Sequence, residues 1–168
     1  MIRVAGDADL PAILKVHREA FGARDPTVPR LVEELLDMGL VVPSLSFVAV
    51  ADDRVVGHVM NSWVGIEGSE FRLLQLSPLG VLPAYQRRGF GSALVRASLD
   101  GVRELGEPLL LVEGDPKYYG RFGFVRADEL GLLPPPEAHF DWAVQVAVLD
   151  ESVELPQGRV QYSEPFRH

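Results

Sequence analysis

Gly89 and Gly91 stand directly ahead of Leu94, Val95, Leu99, Val102 and Leu105, which recur at helical spacing. A glycine-lined loop that opens a helix presents several backbone N–H groups at the positive end of the helix dipole. That is anion chemistry, and a pyrophosphate is the anion such a cradle suits best. Arg87 and Arg88 precede the glycines. Beside a phosphate they add charge-assisted hydrogen bonds; away from one they are solvated surface charges. Phenols and a carboxylate form a second group, with Tyr118 and Tyr119 just after Asp115-Pro116 and Glu113 closing the apolar run before them. His17, His58, His139 and His168 show no metal-ligand spacing; each reads as a core-edge or surface residue, and no metal is expected. With no cysteine, the chain has no disulfide, thiolate nucleophile or cysteine-bound zinc. Ser92 lies in Gly-Phe-Gly-Ser-Ala-Leu, which is not a nucleophile elbow. A Walker loop is absent, and a Rossmann reading fails because position 94 is Leu and Val81 lies too far from Gly89.

The elements that must position these groups follow from pattern. Residues 2–5 alternate as a short strand. Asp7 is expected to cap a helix through Phe21, with Leu10, Ile13, Leu14, His17 and Phe21 on one face and Gly22 as its stop. Thr27 is expected to cap a second helix over residues 28–38, with Leu31, Val32, Leu35 and Leu36 inward and a loop at residues 22–26 between the two. Residues 47–51 and 55–63 read as a hairpin turning at Asp52-Asp53-Arg54. The turn at residues 65–70 leads to a central strand over residues 73–81, where Pro78 and Gly80 predict a bulge. Such a bulge frees backbone groups to bond an amide-rich ligand.

After the glycine-led helix, residues 109–112 are continuously apolar, as in a parallel strand buried on both faces. Asp115 can cap a short helix with Pro116 at its first position. Phe124 and Val125 read as extended, and residues 131–136 as a loop stiffened by three prolines. Phe140, Trp142, Val144, Val146 and Val148 alternate with smaller or polar residues, predicting one long strand. Residues 151–168 read as a C-terminal tail or edge strand, and residues 1–168 as a single domain.

Composition bounds the rest. With 47% hydrophobic and 24% charged residues the chain can bury a sizeable core and is not disordered. A formal charge of −8 argues against nucleic-acid binding, which needs a basic stripe. The same charge would mildly attract amines, although acidity is also ordinary solubility chemistry. No apolar run suits a signal peptide or a membrane span, so a cytoplasmic protein with no membrane partner is expected.

Gln86-Arg87-Arg88-Gly89-Phe90-Gly91 resembles the Gln/Arg-x-x-Gly-x-Gly/Ala signature of the GNAT superfamily of acyl-CoA-dependent N-acetyltransferases. A second stretch, Gly114-Asp115-Pro116-Lys117-Tyr118-Tyr119-Gly120-Arg121-Phe122-Gly123-Phe124, is similar to a segment of one bacterial branch of that family. The two motifs, in this order, extend the resemblance over roughly residues 1–150. It implies an α/β fold with a mixed, mostly antiparallel sheet, helices on both faces, and one parallel strand pair near Val81 and Leu111 that splays around the cofactor.

It further implies acetyl-CoA as the acyl donor. The pantetheine arm would lie on Leu79, Gly80 and Val81, and the pyrophosphate on the backbone of Gln86, Arg87, Arg88, Gly89, Phe90, Gly91 and Ser92. Tyr119 takes the place of the family tyrosine facing the CoA sulfur, where a phenol with a pKa near ~10 is a reasonable proton donor to a thiolate. The usual asparagine of the segment is Val112 here, so its cofactor contact is absent. Glu113, Glu67 and Glu70 are candidate bases for the incoming ammonium, with a water relay as the alternative. The implied reaction is direct transfer to a primary amine of a small molecule or peptide, by a monomer or homodimer. A non-catalytic acyl-CoA-binding module is the rival reading, and the acceptor loops at residues 22–26, 65–70 and 131–139 carry no recognisable code.

Overall fold

A computed structural model describes residues 1–22 and 24–167. Ala23, within the expected loop at residues 22–26, and His168 lie outside the described residues. The backbone divides into two compact units, one of Met1–Ser62 with Leu76–Gly101 and the other of Trp63–Gln75 with Val102–His168.

In the first unit, β1 (Ile2–Val4), β2 (Phe47–Ala51) and β3 (Arg54–Ile66) pair antiparallel in that order, and β4 (Arg72–Val81) is next. β2 and β3 turn at Asp52 and Asp53, both with left-handed φ, as the hairpin reading expects. Around these strands lie α1 (Leu10–Phe21), α2 (Val28–Asp37) and α3 (Phe90–Glu104). Gly57 and His58 are neighbours on β3 and so point to opposite faces of the sheet. A Cβ on Gly57 would meet Leu94 of α3 at 3.1 Å, whereas His58 bonds His17 of α1. Helices therefore cover both faces, as expected.

In the second unit, to which the first part of β4 through Gln75 belongs, β5 (Leu109–Glu113) pairs parallel with Leu74 and Gln75 and antiparallel with β8 (Val144–Val148), which also carries β6 (Val125–Arg126). β9 (Gly158–Gln161) pairs antiparallel with the end of β3 and parallel with β7 (Leu132–Leu133). Leu109, Leu110, Leu111 and Val112 are all buried, as a strand covered on both faces requires. Leu109 and Leu111, on one face of β5, pack with Val144, Val146, Val160 and Tyr162 in a core cluster of this unit.

Several expectations are corrected. The β4–β5 ladder sits at Leu74/Leu110 and Gln75/Leu111, further back along β4 than Val81. Asp7 does not cap α1; it begins a short 3₁₀ turn at Asp7–Asp9. Asp9 replaces it as the organising residue, accepting from Gly6 N–H at 2.7 Å and from both arms of Arg3 at 2.7 and 2.9 Å. Those bonds, that of Arg3 first, hold the Asp9 carboxyl down at about 2. Thr27 precedes α2, but its hydroxyl bonds Asp25 instead of the helix. Leu36 is exposed, and Val28 takes its place on the buried face.

The long strand expected from Phe140 begins only at Val144, because β5 ends opposite it at Glu113. Upstream there is no ladder to join, and the chain closes a 3₁₀ turn with Ala143 N–H on Phe140 C=O at 3.0 Å. Phe140 and Trp142 are left 57% and 45% exposed, stacked on each other at 4.9 Å. Of the two readings of residues 151–168, Gly158–Gln161 forms the strand β9, and β7 interrupts the proline-rich loop.

Candidate active site

The expected anion-binding segment is built from backbone. β4 ends with Leu82 N–H on Val56 C=O at 2.8 Å, and a 3₁₀ turn at Pro83–Tyr85 follows. Gln86 then donates its Nε2 to Val81 C=O at 3.0 Å, bracing the loop onto the strand it leaves. Arg87 adopts φ 62° and Gly89 φ 88°. The left-handed conformation is costly for a residue with a side chain, so Arg87 is held there by its surroundings. Left-handed residues in such turns aim successive N–H groups to one side. The first helical hydrogen bond of α3 is Ala93 N–H to Gly89 C=O at 3.0 Å, and the N–H groups of Phe90 and Gly91 precede it.

Arg88 is exposed but packs against aromatic rings. Its guanidinium lies over the rings of Tyr85, at 4.9 Å, and Phe90, at 5.8 Å. Arg54 shares the Tyr85 ring at 5.6 Å, and the Tyr85 hydroxyl donates to Asp52 at 2.7 Å. The charge is thereby fixed on an aromatic shelf beside the glycines. Leu79, Gly80 and Val81 lie on β4 beyond Gln75, the last position of its parallel ladder. Leu79 and Val81 are half-buried and Gly80 is buried. Ser92 stands half-buried in the first turn of α3.

The second unit holds the phenols and the carboxylate. Glu113, at the end of β5, accepts the Tyr162 hydroxyl on Oε1 at 2.7 Å and His139 N–H on Oε2 at 3.2 Å. The His139 ring nitrogen lies 3.4 Å from the same Oε2. Burial first, then the Glu113 charge, pushes the Tyr162 phenol well above its ordinary pKa, so it remains a donor to the carboxylate. Asp115 caps α4 (Pro116–Tyr119) by accepting Lys117 N–H at 2.9 Å, as expected.

α4 sets Tyr119 edge-on to Tyr118 at 4.9 Å and to Phe124 at 5.6 Å. Gly114 makes room for this ring, since a Cβ there would fall 2.5 Å from Tyr119 Cε2. Burial, with a smaller push from Tyr118, raises the Tyr119 pKa. Its proton is therefore in place at neutral pH, and it is a weaker acid than a free phenol. Tyr118 packs on Phe122 at 5.4 Å, beneath the Arg121 guanidinium.

Glu67 and Glu70 lie exposed in the turn after β3. His17 and His58, read from sequence as core-edge or surface residues, are completely buried and bonded to each other. Among the described residues no three metal-ligating side chains cluster, and no helix is long and apolar enough to cross a membrane. Sequence reasoning missed Tyr162 and Gln145. Gln145 is buried in β8 and donates to Gly114 C=O at 3.1 Å and to Ala143 C=O at 3.2 Å, fixing the turn that carries Asp115. Its place in an alternating apolar run is the only local sign of an enclosed polar side chain.

Known proteins resemble this chain along its whole length. A family model described as an acetyltransferase (GNAT) domain matches residues 1–127. YhbS of Escherichia coli strain K12, called an uncharacterized N-acetyltransferase, is 32% identical over 171 residues, spanning 99% of this chain and 98% of its own. The crystal structure of YhbS from Escherichia coli in complex with CoA matches with a TM-score of 0.90 at 30% identity, covering 100% of this chain and 92% of that one. A GNAT acetyltransferase of Brucella melitensis in complex with acetyl-CoA matches with a TM-score of 0.81 at 30% identity, covering 99% and 97%. Fold, glycine loop and relatives together define an acyl-transferring enzyme, which sets aside the non-catalytic binding module. The chain belongs to the GNAT family of N-acetyltransferases.

Proposed function

We propose that this enzyme moves an acetyl group from acetyl-CoA directly to a primary amine of a small molecule or peptide. The observation that carries the cofactor reading is the left-handed turn at Arg87 and Gly89 running into α3. Its support is that two similar structures, at 30% identity, are complexes with CoA and acetyl-CoA. In this reading the backbone from Gln86 to Ser92 takes the pyrophosphate, with Arg88 supplying charge from its aromatic shelf. The backbone of Leu79, Gly80 and Val81 takes the pantetheine arm, and an N–H there polarises the thioester carbonyl.

The amine attacks that carbonyl, and the carbon–sulfur bond breaks as the tetrahedral intermediate collapses. Tyr119 gives its proton to the departing thiolate. The proton lost by the amine goes to Glu113 or to water, and a water relay leaves the Glu113 bonds to Tyr162 and His139 intact. With no cysteine in the chain, acyl transfer through an enzyme thioester is not open to it. The whole chain acts as one acetyltransferase domain, as a monomer or homodimer, in the cytoplasm where acetyl-CoA is available.

Calorimetry and thermal melts with acetyl-CoA test the donor, followed by a consumption screen over polyamines, amino acids, aminoglycosides and peptide N-termini. Binding should stabilise the fold by about 2.7 kcal/mol at one hundred times Kd. No heat and no thermal shift at millimolar acetyl-CoA would sink the proposal.

A further inference from the structure

α1 and β3 enclose a chain of hydrogen bonds that the reaction described above does not use. His17 Nε2 lies 2.8 Å from His58 Nδ1, and His58 Nε2 lies 3.0 Å from Ser46 Oγ. Both imidazoles are 0% exposed. The far end of the chain is unusual, because His17 Nδ1 is buried without a hydrogen-bond partner. It faces β4 at Gly80, where a Cβ would fall 2.8 Å from Nδ1 and 3.2 Å from Cε1. Phe21 stacks on the same imidazole at 5.9 Å and holds it against the strand.

The bonding pattern selects the tautomers. If Ser46 donated to His58 and His58 to His17, the proton left on His17 Nδ1 would be a buried donor with nothing to accept it. Orphaned buried N–H groups are rarer than under-satisfied acceptors. The opposite direction, His17 Nε2–H to His58 Nδ1 and His58 Nε2–H to Ser46 Oγ, leaves only a lone pair at His17 Nδ1. That lone pair faces the side of Gly80 on which a Cβ would sit. Burial holds both imidazoles neutral, which this pattern requires. If α1 needed only to fill space against β4, an aliphatic or phenyl side chain would do so with no buried nitrogen.

We propose that His17 is a positioning residue for acyl transfer. Its bare Nδ1, braced by His58 and Ser46, sets the position of Gly80, and through Gly80 the backbone groups of Leu79 and Val81 that meet the acyl donor. The inference rests on the acetyl-CoA reading of β4. It explains why a glycine stands at the buried position near the end of β4, a role distinct from freedom of φ.

The test separates the two ends of the imidazole in the full-length protein. His17→Gln keeps a group at the His58 end and removes the acceptor at Gly80; His17→Asn does the reverse. Calorimetry is run with acetyl-CoA, which reaches the Leu79–Val81 backbone, and with adenosine 3′,5′-bisphosphate, which reaches only the phosphate loop. Acetyl-CoA affinity should fall at least about tenfold in His17→Gln and largely recover in His17→Asn. Bisphosphate affinity should be unchanged in both. Gly80→Ala should lose acetyl-CoA binding, and His17→Ala combined with Gly80→Ala should regain part of it. Nitrogen-15 NMR of the unaltered protein should show His17 Nδ1 without a proton, a readout that needs no variant to fold.

Equal losses for both ligands, no loss in His17→Gln, or a protonated Nδ1 would overturn the inference. Absence of acetyl-CoA binding in the unaltered protein would instead overturn the reading on which it rests.

Discussion

The loop from Gln86 to Gly91 and the strand end at Glu113 are made by opposite means. The loop is backbone, set by residues adjacent in sequence: two left-handed positions, one side-chain brace onto Val81 and the first bond of α3. Glu113 is held by side and main chain gathered from afar, with Tyr162 49 positions away and His139 26. A backbone cradle tolerates exchange of most of its side chains and fails when one intrudes. A side-chain cluster fails by loss of a single functional group. The two therefore call for opposite kinds of mutation.

The largest effect should come from intrusion. Gly91→Glu puts a carboxylate where the pyrophosphate would lie, and acetyl-CoA binding should become undetectable by calorimetry. The fold should survive, because an acidic residue in the first turn suits the dipole of α3. Wild-type affinity in a folded Gly91→Glu protein would place the anion elsewhere. Deletion of one hydroxyl comes next. Tyr119→Phe should keep acetyl-CoA affinity while kcat drops by about 10²–10⁴, the usual worth of a general acid. Tyr118→Phe is the control and should lose little. Equal small losses would mean that water protonates the thiolate, and a loss confined to Tyr118 would mean that the roles are exchanged.

Acid should expose a third kind of construction, the buried histidine chain. The folded His17 pKa is about 4 because burial disfavours the imidazolium, against about 6.5 in an unfolded chain. Between those values the unfolded state binds the extra proton, so stability falls as pH falls and is fully present only above about pH 6.5. His17 alone should cost about 3 kcal/mol by pH 4, with His58 acting in the same direction. Asp9 opposes this at His58, and its own bond to Arg3 is lost only nearer pH 2. Urea melts at pH 7, 5.5 and 4.5 would show the decline; a flat series would refute the buried neutral pair. The smallest effect belongs to Tyr162→Phe, which removes one hydrogen bond from the Glu113 carboxylate. It should cost about 1–2 kcal/mol in chemical denaturation with acetyl-CoA affinity unchanged.

What was legible in the sequence was local. The glycine pair, the Asp115 cap with Pro116, the Asp52-Asp53 turn and the four apolar residues of β5 each carry their cause within a few neighbours. What was illegible depended on distant partners. Phe140 and Trp142 alternate as strand residues do, but β5 ends before it can pair with them. Asp7 has the chemistry of a cap, yet Asp9 prevails because Arg3 of β1 lies within reach. His17 and His58 read as unremarkable singly and gain meaning only as a pair brought together across 41 positions. Tyr162 sits in a stretch with no motif at all.

The place where the family match stops, residue 127, is a poor place to cut the chain. β5 keeps its antiparallel partner only in Val144–Val148, and β6 pairs with that same strand. A protein trimmed at 127 would present Leu109, Leu110, Leu111 and Val112 along an unpaired, wholly apolar edge. Such edges recruit other chains. The trimmed protein should therefore appear as aggregate and not as a smaller enzyme, and a soluble fragment would have to run at least through β8.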